Sequence, residues 1–302
     1  MEVPIEKELS SGKAVRLSAV ISDYIQLSKL RLSFLVVFSA ALAFIMGSPD
    51  AINWNKLILL IAGGFLVTGA SNAINQVIER NLDKLMDRTR NRPLPDERMS
   101  PVAAIIAAVL MGITGLLILT FFMNAASGVL GFIALVSYAW MYTPLKRITP
   151  FAVFVGAIPG AIPPLLGWVA ATGSFSGGGW MLFALQFLWQ FPHFWAIAWV
   201  MDDDYRKAGF ELLPSKGGRD KASAMQAFVY AFSLIPLCLM LKPLGFCSQT
   251  AALLTALISV GFAAQAYRLY ATCSMESAKK LMFGSFFYLP LAMIILLIDK
   301  LL

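Results

Sequence analysis

The sequence predicts an all-α, polytopic membrane bundle of about nine transmembrane helices. Three observations predict it. First, of 302 residues 59% are hydrophobic and only 14% charged, with mean hydropathy +0.74, where a soluble domain carries roughly 25% charge. Second, nine apolar runs lie near 32–47, 56–78, 101–123, 126–143, 150–171, 180–201, 223–241, 248–270 and 281–299, each close to the ~20 residues that cross a bilayer. Third, if these runs alternate in direction, of the 24 Lys and Arg residues only Lys56, Lys242 and Lys300 fall on one side. The positive-inside rule then sets the N-terminus inside and the C-terminus outside. The net charge of +7 therefore belongs to cytoplasmic loops and does not imply nucleic acid. The location implied is the inner cell membrane, multi-pass.

In chain order, residues 1–28 form a polar, amphipathic cytoplasmic segment bearing Lys7, Lys13 and Arg16, and residues 29–302 form the membrane domain. Lys29 and Arg31 enter the first span as anchors or as anion contacts. Pro159, Pro163 and Pro164 predict a bend in the fifth span. The three cysteines, Cys238, Cys247 and Cys273, show no metal or redox spacing. The outer loops, 124–127 and 172–179, are too short to fold separately.

The densest chemistry lies between Asn75 and Pro95. Asn75, Glu79, Asp83 and Asp87 recur every four residues. On a helix each such step climbs ~6 Å and drifts about 40°, so the first three share a face and Asp87 leaves it. A column of oxygen-bearing side chains suits a hard cation such as Mg²⁺, and Arg88, Arg90 and Arg92 just beyond suit phosphate oxygens. The plainer reading is a solvated helix end laced with i,i+4 ion pairs.

A second acidic block, Asp202-Asp203-Asp204, ends the sixth span. Four crossings separate it from Asp83, so both blocks face the same side. Arg92-Pro93-Leu94-Pro95 trails the first block and Leu212-Leu213-Pro214 the second, a faint sign of a four-helix unit used twice. The alternative for the second block is an interfacial cap paired with Arg206 and Lys207. Tyr142 and Lys146 close the fourth span on that side, as diphosphate contacts or as belt and anchor residues. His193, the single histidine, lies within Phe191-Pro192-His193-Phe194-Trp195, about three turns before Asp204 and inside the membrane. An intramembrane imidazole is a functional candidate that can ligate haem iron; the alternative is a hydrogen bond between helices.

Together these motifs resemble the intramembrane prenyltransferase superfamily, over about residues 25–300. The resemblance rests on Asn75-x3-Glu79-x3-Asp83-x3-Asp87-Arg88-Thr89-x2-Arg92-Pro93-Leu94 and on Tyr142-x3-Lys146. Phe191-Pro192-His193-Phe194-Trp195 and Asp204-Tyr205-x2-Ala208-Gly209-x3-Leu213-Pro214 are similar to its haem-modifying branch. The resemblance implies nine helices around a central cavity that opens to lipid, Mg²⁺ as cofactor, and farnesyl transfer from farnesyl diphosphate to the vinyl group of haem B, giving haem O.

On this resemblance Asn75, Glu79, Asp83 and Asp204 are the catalytic positions. Arg88, Arg92, Tyr142 and Lys146 contact diphosphate, with Lys29 and Arg31 nearby, and His193 serves haem. This chain departs from the superfamily pattern at Gln76 and Glu79, where many members have Asp, and at Val200, where an acid is missing, and from the branch's Lys-Pro-Arg at Leu30, between Lys29 and Arg31. With Asp203 in place of that acid, the Mg²⁺ ligands would be Asn75, Glu79, Asp83, Asp203 and Asp204. Besides the lipid bilayer, a haem-handling protein is a conceivable partner. The rival readings are prenyl transfer to a quinone or chlorophyll precursor, which the His193 motif disfavours, and transport, which predicts acids near the bilayer midplane.

Overall fold

The computed structural model describes residues 18–48 and 51–302; the readings for Lys7, Lys13 and Arg16 lie outside them. Among the described residues every regular element is helical. In order these are α1 (Ser18–Leu27), α2 (Leu30–Met46), α3 (Trp54–Asp83), α4 (Pro101–Ile118), α5 (Ala125–Val136), α6 (Thr143–Leu145), α7 (Ala152–Thr172), α8 (Gly177–Lys207), α9 (Lys221–Met240), α10 (Gln249–Thr272) and α11 (Met275–Leu301). Wide π turns continue α4 through Leu119–Met123 and join α5 to α6 through Ser137–Tyr142.

Seven of these helices are long and apolar enough to cross a membrane, and eight if α1 and α2, bent by 51°, count as one. The ninth is α8. Its 31 residues reach about 46 Å, more than the ~30 Å hydrocarbon core. Gln186, Gln190, His193 and the terminal acids keep it from reading as a simple apolar span. The chain is a multi-pass membrane protein, and large side chains such as Leu110, Phe121, Leu257 and Phe287 face outward, as contact with lipid tails requires.

Helix starts follow local chemistry. Asn53, Ser100, Asn124, Asp220, Ser248 and Ser274 each accept a hydrogen bond from a backbone N–H in the first turn they precede. Pro101 adds a pre-set first residue to α4.

Helix breaks fall where side chains from neighbours can meet the freed carbonyls. Lys29 adopts a left-handed conformation (φ 48°) at the α1–α2 bend. There Gln76 Nε2 donates to the carbonyls of Gln26 (3.3 Å) and Leu27 (2.7 Å), and Asn72 Nδ2 donates to that of Ser28 (3.3 Å). In the π turn, Thr143 Oγ1 donates to the Tyr138 carbonyl at 2.9 Å.

Helix α7 runs unbroken through Pro159, Pro163 and Pro164. Pro164 has no N–H for the carbonyl of Gly160, and Gln186 Nε2 donates to that carbonyl from α8 at 2.7 Å. Gln190 Nε2 donates to the Ala157 carbonyl at 3.0 Å, whose helical partner Ala161 keeps its N–H, and so adds a second tie between α8 and α7. Closeness of α2 and α7 depends on Gly167, where an added Cβ would strike the carbonyl oxygen of Ala40.

The buried apolar residues form two main clusters. One joins α2, α3, α5 and α7, around Leu60, Val67, Leu130 and Val169; the other joins α8 to α11 with residues of α2 and α7, around Leu182, Phe191, Trp199 and Leu234. A third, small cluster of Leu27, Ala73, Leu94 and Met99 seats the loop after α3.

The α7 repair gives a test. Gln186→Leu should keep the helical circular dichroism but destabilise the protein by about 1 kcal/mol, the usual scale of an interhelical hydrogen bond in a membrane. Thermal unfolding in detergent measures it.

Candidate active site

Helix α3 does not stop where its apolar run stops. It continues to Asp83 because Asn75, Gln76, Glu79 and Asp83 are all buried, between 0 and 4% exposed. Charges taken so far from water must be paired, and the fold supplies partners from several elements. Arg92 Nη1, in the loop after α3, meets Asp83 Oδ2 at 2.8 Å. Lys146 Nζ, after α6, pairs with Glu79 Oε1. Lys29 Nζ, at the α1–α2 bend, donates to Asn75 Oδ1 at 3.0 Å, and Asn75 Nδ2 donates to Thr143 Oγ1 at 3.2 Å.

Aromatic faces hold the cations in place. Lys146 Nζ lies 5.0 Å from the Tyr142 ring and 5.3 Å from the Phe210 ring. Tyr142 fits because residue 156 is glycine; an added Cβ there would stand 2.6 Å from the ring. Arg88 stacks over Tyr205 at 5.4 Å and donates to its hydroxyl at 3.4 Å. Lys29, Arg92 and Lys146 thus gather around the column of Asn75, Glu79 and Asp83, and Arg88 stands on the loop that follows it. These basic side chains suit a polyanion.

The oxygens also suit a hard cation. Asp83 Oδ1 is buried and accepts no hydrogen bond. With Asn75 and Glu79 it forms an oxygen donor set of the kind Mg²⁺ takes. A cavity of about 330 Å³ between α3 and α6 reaches Glu79 and is lined by Ile78, Leu82, Thr143 and Arg147.

The second acidic block serves other ends. Asp204 accepts the backbone N–H groups of Asp87 (2.8 Å) and Arg88 (3.3 Å), clamping the loop after α3 to the end of α8. Burial opposes its charge, but those two N–H groups and Lys207 hold its carboxyl below the usual range. Asp203 is turned outward into a forked pair with Arg219, at 3.0 to 3.1 Å. Asp202 pairs with Arg206 at 2.8 Å.

Among the described residues no three His, Cys, Asp or Glu side chains gather as a metal group. Of the five expected ligands, Asp203 is engaged by Arg219 and Asp204 by the loop amides. Arg31 is exposed and makes no contact with the cluster, since the turn at Lys29 directs only that lysine toward α3. Asp87 lies past the end of α3 and meets Lys207 at 2.5 Å.

His193 stands apart, about 16 Å along α8 from Asp204. Its Nδ1 is 2.7 Å from Ser285 Oγ on α11, and its ring stacks on Trp189 with centroids 4.4 Å apart.

A model of known families matches residues 36–289 under the description UbiA prenyltransferase family. The chain belongs to the UbiA prenyltransferase family. It is 44% identical over 277 residues to the protoheme IX farnesyltransferase of Cytophaga hutchinsonii, covering 92% of this chain and 97% of the relative. The UbiA fold is seen at lower identity in a solved digeranylgeranylglyceryl phosphate synthase, with TM-score 0.78, 18% identity and coverage of 93% of this chain and 98% of that one. It is seen again in a UbiA homolog from Archaeoglobus fulgidus bound to GPP and Mg²⁺, with TM-score 0.65, 14% identity and coverage of 91% and 99%.

Several residues around the UbiA site were not singled out by spacing. Thr143 and Tyr205 were visible only as neighbours of Tyr142 and Asp204. Thr89, fully buried with its hydroxyl on the Asp83 carbonyl at 2.9 Å, stood unassigned within the first motif. Phe210 carried no signal at all.

The clamp can be tested apart from catalysis. Asp204→Ala removes both acceptors, and each lost hydrogen bond is worth about 1 kcal/mol. Hydrogen exchange of the Asp87 and Arg88 amides should quicken by about tenfold or more, while helical amides of α3 before Asp83 keep their protection.

Proposed function

We propose that this prenyltransferase joins a farnesyl group to the vinyl group of haem B, giving haem O, with Mg²⁺ as cofactor. The observation that carries the donor half is the gathering of basic side chains, Lys29, Arg92 and Lys146, on the Asn75, Glu79 and Asp83 column, with Arg88 on the loop beside it. The acceptor half is supported by 44% identity along nearly the full length to a protoheme IX farnesyltransferase, and by a stacked, half-buried His193 on the apolar part of α8.

Asn75, Glu79 and Asp83 would hold Mg²⁺, which when bound supplies positive charge to the diphosphate. Arg92 and Lys146 exchange their carboxylate partners for diphosphate oxygens, and Arg88 and Lys29 add to the same field. The C–O bond to the allylic carbon breaks and its electron pair leaves with diphosphate. The π electrons of the vinyl group form the new C–C bond to that carbon. Water then adds to the resulting cation and gives up a proton, leaving a hydroxyethylfarnesyl group. Burial by Phe210 and Tyr142 keeps water from the donor carbon beforehand.

Incubating the purified protein with Mg²⁺, farnesyl diphosphate and haem B should yield haem O by mass. A product only with a quinone precursor would overturn the acceptor. Glu79→Gln and Asp83→Asn should leave folding intact and lower turnover by at least about 100-fold, as expected for removing a charge that acts on the leaving group. Near-normal turnover of both variants at saturating Mg²⁺ would reject the metal site.

The acidic end faces the cytoplasm in this reading, on the charge asymmetry of the loops. Lys216, exposed beyond α8, offers the check. Lys216→Cys should resist an impermeant thiol reagent in intact cells and react in inverted vesicles.

A further inference from the structure

The seam between α8 and α11 carries a polar pair that the diphosphate site does not use. Ser285 is fully buried and His193 half-buried, at mid-helix positions. Ser285 Oγ lies 2.6 Å from the carbonyl oxygen of Met282 and 2.7 Å from His193 Nδ1. A hydroxyl has one proton and a carbonyl can only accept. The proton of Ser285 therefore goes to Met282, and the oxygen is left to accept from His193. Its Nδ1 must carry the hydrogen, and a neutral imidazole then has its lone pair on Nε2.

Nε2 makes no hydrogen bond among the described residues. Around the ring stand Trp189, stacked at 4.4 Å, Phe286 edge-on at 5.3 Å and Phe194 at 5.5 Å. Trp189 Nε1 donates to the carbonyl of Ser285 itself at 3.0 Å. One turn of α11 is thus tied twice to one turn of α8, and the ring plane is set by both ties.

We infer that Ser285 is a positioning residue: it fixes His193 as the Nδ1–H tautomer so that Nε2 is presented, with its lone pair, to the iron of a flat apolar tetrapyrrole. The inference rests on the reading that haem B is the acceptor. A partner that orients a ligating histidine through its other nitrogen is the usual support for such a ligand.

The sequence holds one histidine, so the protein labelled with ¹⁵N-histidine reports this ring alone. Without haem, wild-type protein in detergent should show Nδ1 protonated and Nε2 unprotonated. Ser285→Ala should lose that preference and Ser285→Thr, which keeps the hydroxyl, should retain it. Titrated with haem B and followed by absorbance, Ser285→Ala should bind about tenfold more weakly or worse, the range for lost support of a metal ligand, and Ser285→Thr near the wild-type value.

A wild-type ring protonated on Nε2 overturns the inference, and needs no variant to fold. So does a tautomer shift in Ser285→Ala with haem affinity and spectrum unchanged. If His193→Ala binds haem B as wild type does, the ligand role falls and the inference with it. Failure to form haem O while the haem titrations behave as described counts against the proposed reaction and leaves Ser285 in its place.

Discussion

Two carboxylates buried at the end of a membrane helix are the constraint on which this structure depends. Glu79 and Asp83 are almost wholly removed from water, and neither charge persists there unpaired. The answering cations come from three separate places: the loop after α3, the end of α6, and the α1–α2 bend. Each place is an interruption of helix. The interruptions are thus requirements of the acids, since a straight helix has no means of sending its own end residues back toward a neighbour's axis. The pairing gathers basic side chains near the membrane surface, and a phosphorylated lipid precursor is the kind of molecule that brings anionic groups to that depth.

The same logic governs the backbone. Inside a bilayer a freed carbonyl has no water to turn to. Amide side chains meet the need here: Asn72 and Gln76 at the α1–α2 bend, Gln186 along proline-rich α7. The Gln76 amide donates to two carbonyls, which a carboxylate could not do.

How much was legible beforehand follows the range of the interactions. The four-residue spacing of Asn75, Glu79 and Asp83 is local, and it gave a shared face that the helix bears out. Alternation of apolar runs and charge put Asp204 on the same side as Asp83, and its contact with the Asp87 amide shows the two together. Roles that depend on a distant partner were not readable. Asp203 and Asp204 share a helix turn with ordinary cations, and nothing in their spacing says that Arg219 takes one and loop amides the other. The left-handed turn at Lys29, which sends that lysine to Asn75, has no local signature. Helix α8 reads as weakly apolar because its polar side chains serve α7 and α11, and Ser285 was invisible because its partner lies 92 residues away.

The clamp at Asp204 bears on the order in which the protein is made. Lys29, Asn75, Glu79, Asp83, Arg92, Thr143 and Lys146 all precede residue 150, so the ion pairs can close while the second half of the chain is still on the ribosome. Asp204, Tyr205 and Phe210 arrive later. A half-inserted chain is then already relieved of its buried charge, yet the loop that carries Arg88 has no anchor and the face of Lys146 is uncovered on one side. Chain order separates two sets of contacts: the ion pairs lie within the first half, and the clamp that fixes the Arg88 loop needs α8.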